Sequence, residues 1–130
     1  MSNDATKAEL VELSRRLLKS IAEGDWETYS ALCDPSLTAF EAESRGELVE
    51  GLDFHRFYFD LPAGAGPRNT TLCSPHVRVM GDAAVVCYVR LTQRLDAQGN
   101  PVTGRVEETR VWHRRDGVWR HVHFHRSVSV

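Results

Sequence analysis

The chain has no strong charge of either sign: 16 Lys plus Arg stand against 18 Asp plus Glu, a formal net charge of −2 over 130 residues. A nucleic-acid module would show a marked basic excess, so that class is set aside. Apolar runs are short, and none approaches the roughly 20 residues needed to span a bilayer. The first residues, Met1-Ser2-Asn3-Asp4, carry no basic start and no apolar signal core. The expectation is an intracellular, cytoplasmic protein that neither crosses nor binds a membrane. Cysteine is scarce: Cys33, Cys73 and Cys87 are odd in number and lack the spacing of a metal site. They read as free thiols, and no metal or cofactor is expected. No Gly-x-Ser-x-Gly elbow or phosphate-cradling glycine loop occurs, which removes the usual signatures of nucleophilic and nucleotide chemistry.

What is present is ordinary globular composition, 42% hydrophobic. The length suits one domain, residues 1–130. Residues 6–23 read as a long amphipathic helix, with Leu10, Leu13, Leu17, Leu18 and Ile21 on one stripe. Thr6 and Glu9 suggest a capping box, and Gly24 a stop. Asp25 can cap a second, shorter helix that Pro35 ends. Residues 37–43 look like a strand, and 53–59 like a short aromatic helix with Asp53 as cap. The composition of 62–67 makes it a loop. Four strand candidates follow, at 70–79, 83–94, 105–113 and 118–127. Helices first and an antiparallel sheet afterwards give an α+β domain.

Three arginines lie near the ends of neighbouring strands, each sharing parity with large apolar residues. Arg90 goes with Val86 and Tyr88, Arg110 with Val106 and Trp112, and Arg126 with Val122 and Phe124. Equal parity within a strand means a common face. Guanidiniums on a buried face need anions or many acceptors, so the pattern predicts a semi-enclosed cationic pocket. Its members are Arg90, Arg110 and Arg126, joined by His55 and Arg56 from the aromatic helix, with Tyr88, Glu108, Trp112 and Phe124 as further lining. A two-residue turn at Asp116-Gly117 would put Arg110 and Arg126 on opposite faces. A three-residue loop, Arg115-Asp116-Gly117, joins them and is the expected register.

The other face of residues 83–91 is also apolar. Val85, Cys87, Val89 and Leu91, with Trp119, His121 and His123 on the last strand, form a surface that calls for cover by a second copy. The trio His121, His123 and His125 alternates on one strand face, but its rings do not converge on a metal. An enzyme of the same architecture, an isomerase, dehydratase or hydrolase, is the alternative reading. Asp53, His55, Tyr58, Tyr88, Glu108 and His123 are its candidates, and no spacing singles out a dyad.

Long strings carry a resemblance. Leu48-Val49-Glu50-Gly51-Leu52-Asp53-Phe54-His55-Arg56-Phe57-Tyr58-Phe59 and Glu107-Glu108-Thr109-Arg110-Val111-Trp112-His113-Arg114-Arg115-Asp116-Gly117 closely resemble segments of the association (hub) domain of calcium/calmodulin-dependent protein kinase II. Cys33-Asp34-Pro35, Thr38-Ala39-Phe40-Glu41, Met80-Gly81-Asp82 and Val122-His123-Phe124-His125-Arg126-Ser127 match in order. The resemblance implies a fold like nuclear transport factor 2, a cone with a long N-terminal helix packed on a curved antiparallel sheet. It also implies homo-oligomers, with dimers assembled into stacked rings, usually dodecamers or tetradecamers. In that family the pocket arginines matching Arg90, Arg110 and Arg126 accept small carboxylates or acidic peptide groups. These 130 residues contain no kinase domain. The tryptophan that the family carries in the loop after the aromatic helix is absent here.

Overall fold

The computed structural model describes residues 3–62, 64 and 66–127. The first helix, α1 (Asp4–Glu23), begins two residues before the expected capping box. Asn3 occupies the N-cap position and makes no side-chain cap bond. Gly24 ends it in the left-handed region (φ 67°), donating to the Ile21 carbonyl while the Asp25 amide reaches Ser20. That arrangement satisfies carbonyls the helix itself leaves free. Asp25 then caps α2 (Trp26–Leu32) by accepting from the Thr28 amide.

Strand β1 (Cys33–Phe40) starts four residues earlier than the sequence suggests and contains Pro35. Proline is tolerated because pairing with β6 is interrupted between Cys33 and Thr38. A 3-10 turn (Ala42–Ser44) and the short strand β2 (Val49–Glu50) lead to α3 (Asp53–Phe59). There Leu52, not Asp53, holds the N-cap position. The strands β3 (Asn69–Met80), β4 (Ala83–Leu95), β5 (Pro101–Arg115) and β6 (Val118–Arg126) follow as a meander. The expected loop at 62–67 precedes them; Ala63 and Ala65 lie outside the described residues.

The sheet order is β2-β1-β6-β5-β4-β3. It is mixed, not purely antiparallel, because β1 runs parallel to β6. The meander fixes β3 to β6 by hairpins, whereas β1 arrives from α2 and takes the free edge of β6 in the direction the helix delivers it. Helix α1 packs on β3 and β4 from one side. Leu10, Leu17 and Leu18 meet Leu72, Val77, Val86, Tyr88 and Trp112 in the core.

The last hairpin corrects the expected register. Arg115 pairs with Val118 across a two-residue turn in which Asp116 (φ 53°) and Gly117 (φ 77°) are both left-handed, the geometry that matches strand twist. The two arginine faces are rejoined elsewhere. Val111 pairs with His123 but Trp112 pairs with His121, so Val122 is an unpartnered bulge residue. Beyond it, Arg110 opposes Phe124 and Glu108 opposes Arg126. The same bulge divides the histidine trio. His121 and Trp119 belong to the core side, 0% and 6% exposed, and not to the outer face assigned to them from parity. His123 stays outside, its Nδ1 2.7 Å from the Thr38 hydroxyl.

Candidate functional site: an arginine and glutamate cavity

A cavity of about 350 Å³ opens between the end of α1, α3 and the sheet. Of the residues expected to line it, Arg90, Arg110, Arg126, His55, Glu108 and Phe124 do so. Three others stand elsewhere. Arg56 points away, with its side chain 57% exposed, 3.9 Å from Asp60 and over the Trp26 ring. An α-helix places consecutive residues about 100° apart, so His55 and Arg56 cannot both face inward. Trp112 is fully buried beneath the site, against His121. Tyr88 is also beneath it, its hydroxyl donating to Glu108 (2.6 Å) and accepting from Arg110 Nε (2.7 Å).

Among the further lining residues that strand parity had not revealed are Tyr29, Glu41, Glu43 and Arg68. One signal pointed to the acids: buried guanidiniums need countercharge, and Glu41 and Glu43 share parity. The lining then holds Arg68, Arg90, Arg110 and Arg126 against Glu41, Glu43 and Glu108, four cations against three anions.

The three expected arginines differ in how they are held. Arg110 is 1% exposed and fully engaged. Besides Tyr88, its NH2 donates to Glu108 (3.3 Å), its NH1 lies 3.2 Å from His121 Nε2, and its guanidinium covers the Phe124 ring. Burial works against its charge, but Tyr88 and Glu108 outweigh that and raise its pKa further. Arg90 shares Glu108, with NH2 3.4 Å from Oε2, an ion-pair distance without hydrogen-bond geometry. Among the described residues its buried Nε has no hydrogen-bond partner. Burial lowers the Arg90 pKa and Glu108 offsets part of this, while Arg110 and Arg126 lower it again. Arg126 is ion-paired with Glu43 at the mouth. On the wall, His55 Nε2 lies 3.4 Å from Glu41, and neither ring nitrogen has a hydrogen-bond partner among the described residues.

Glu108 is the hub of these charges. Burial alone would raise its pKa, but Arg110 and Arg90, with the Tyr88 hydrogen bond, hold it below the usual value. A carboxylate so stabilised is a poor proton acceptor. The Cys33 thiol, buried near His121, is pushed up to about 12 by burial, which leaves it unreactive.

A long helix laid on one side of a six-stranded sheet, with a cavity at its C-terminal end, defines the nuclear transport factor 2-like class. A superfamily member described in those words, from Salmonella enterica, superposes with a TM-score of 0.78 over 99% of this chain and 94% of its own at 24% identity, which bears on fold alone. The family described as the calcium/calmodulin dependent protein kinase II association domain matches residues 6–130, and the chain belongs to that family. It is 53% identical over 128 residues to the calcium/calmodulin-dependent protein kinase type II subunit delta of Oryctolagus cuniculus. The match covers 96% of this chain but only 24% of that subunit. The association domain of C. elegans CaMKII superposes with a TM-score of 0.92 at 46% identity, covering 97% of this chain and 98% of that one. No helix among the described residues is long and apolar enough to cross a membrane.

Proposed function

We propose that this chain is an assembly domain: copies associate through the outer face of the sheet into dimers, and the dimers close into a ring. The observation that carries this reading is the face of β4 turned away from the helices. Val85, Cys87, Val89 and Leu91 stand there in one row, half-buried within a single copy. Their cross-strand neighbours are Arg78, His76, Cys73 and Thr71 on β3 and Val111, Thr109, Glu107 and Arg105 on β5, so polar and charged groups rim the row. An apolar row of this kind on a monomer marks an association surface, and a two-fold dimer covers it with its own copy. The kinase subunits that this chain resembles in part supply the precedent for association. Light scattering coupled to gel filtration tests the reading, and a stable monomer at micromolar concentration overturns it.

The cavity adds a second role to the same domain, binding of a small carboxylate or an acidic peptide group. Its net cationic lining and the unpartnered Arg90 Nε support this. The aromatic wall of Tyr29, Phe59 and Phe124 supplies apolar contact for the body of the ligand. An anion between Arg90 and Arg126 would relieve the like-charge crowding that lowers the Arg90 pKa. Benzoate, with benzamide as its neutral counterpart, tests the site. Benzoate raises the melting temperature and benzamide does not; equal effects of the two overturn a carboxylate site.

A further inference from the structure

Arg126 is placed to meet a ligand, yet it already holds a carboxylate. Glu43 lines the same cavity, and its side chain is ion-paired with the Arg126 guanidinium at the mouth. The two come from distant parts of the chain, Glu43 from the 3-10 turn after β1 and Arg126 from the last turn of pairing in β6. Arg126 has another acid nearby, since its backbone partner is Glu108. Glu108, however, is taken by Tyr88, Arg110 and Arg90. The Arg126 to Glu43 pair is therefore separable from the buried network.

The turn that carries Glu43 is firmly built. Ser44 donates to Glu41, Arg45 to Ala42 and Glu47 to Ser44, all through backbone bonds of 3.0–3.1 Å. Arg45 at φ 55° and Gly46 at φ 83° close it. Release of Arg126 needs no backbone movement, only rotation of two side chains. Glu43 is 38% exposed and has water to turn into.

We propose that Glu43 is a built-in competitor for the anion site: its carboxylate occupies Arg126 in the empty cavity, and a carboxylate ligand binds by displacing it. This rests on the anion-pocket reading above. The glutamate then sets the affinity threshold of the site, because a ligand reaches Arg126 only in the fraction of molecules where the pair is open. It also selects ligands. A neutral molecule offers Arg126 nothing in exchange for Glu43, and the pair stays closed.

The experiment is a double-mutant cycle read as the dissociation constant of benzoate by calorimetry. Glu43→Gln is expected to tighten benzoate binding about tenfold, equivalent to a pair open about one-tenth of the time. In an Arg126→Gln background the same change is expected to alter affinity by less than about twofold, since no guanidinium remains to be freed. Equal tightening in both backgrounds would mean that Glu43 acts only through its charge, and the competitor role falls. No tightening by Glu43→Gln when Arg126 is intact also overturns it, with the anion pocket left standing. Failure of benzoate to bind the wild type and Glu43→Gln alike removes both readings together. As a second measurement, the 13C carboxyl resonance of Glu43 is expected to move on saturation with benzoate; an unmoved resonance counts against displacement.

Discussion

Glu108 and Arg126 face each other across β5 and β6, yet Arg126 gives its guanidinium to Glu43. Glu108 is left to Tyr88, Arg90 and Arg110. The cavity thus has a fixed floor and an exchangeable mouth. In the floor, Arg110 is locked by hydrogen bonds from beneath. At the mouth, one exposed acid meets one arginine. The two arginines are alike in sequence but not in what their loss would do.

We expect Arg126→Ala to weaken benzoate binding by about 2–5 kcal/mol, as when one partner of a desolvated charged contact is removed. Stability should change little. Arg110→Ala should lose binding and stability together, because Tyr88, Glu108 and His121 would lose their shared donor. Calorimetry on both variants beside their urea midpoints checks the difference.

Glu108→Gln removes the charge between two guanidiniums, that of Arg110 buried and that of Arg90 partly so. Breaking a buried pair in this way costs about 3–5 kcal/mol. Urea unfolding at one fixed protein concentration measures it, since association adds to apparent stability. A loss of under about 1 kcal/mol would fit a surface pair and contradict the burial.

Val89→Asp places an unpaired charge on the proposed dimer face, opposite Cys73 and Glu107. The like charge of Glu107 adds to the effect. We expect smaller species on gel filtration with the far-ultraviolet spectrum kept. Unaltered size would move the association surface elsewhere.

Acidification should destabilise the protein in two stages. His121 is buried and beside Arg110, and these two causes, in that order, hold its pKa well below 6.5. Below pH 6.5 the unfolded chain therefore binds a proton that the native state refuses, and stability falls by up to about 1.4 kcal/mol per pH unit. Glu108 acts later. Its native pKa is lowered below 4.5, so its contribution is complete above that pH and is lost as pH falls through the native value. A His121→Asn variant is expected to lose the first stage and keep the second. Urea midpoints from about pH 2 to pH 8 separate them.

Much of this was legible in the chain. Helical spacing of Leu10, Leu17 and Leu18 fixed the first helix and its buried stripe. The run from Asp53 to Phe59 had the bounds the sequence indicated. Residues 83–94 read as a strand, apolar on both faces over 83–91, and the family strings were long enough to name the family. These features are local, set by periodicity of 3.6 or 2 within one element.

Tertiary structure alone decided which face each residue of the last strand takes. A two-residue turn at Asp116-Gly117 and a bulge at Val122 are separate events, and each reverses parity beyond it. Together they return Arg126 to the side of Arg110 while moving His121 and Trp119 into the core. Local preference decided the turn, but the bulge arises from pairing with β5 and leaves no mark in β6 itself. The counterions were hidden for the same reason. Glu43 lies 83 positions from Arg126, and no spacing rule relates residues that meet only when the sheet brings its first and last strands together.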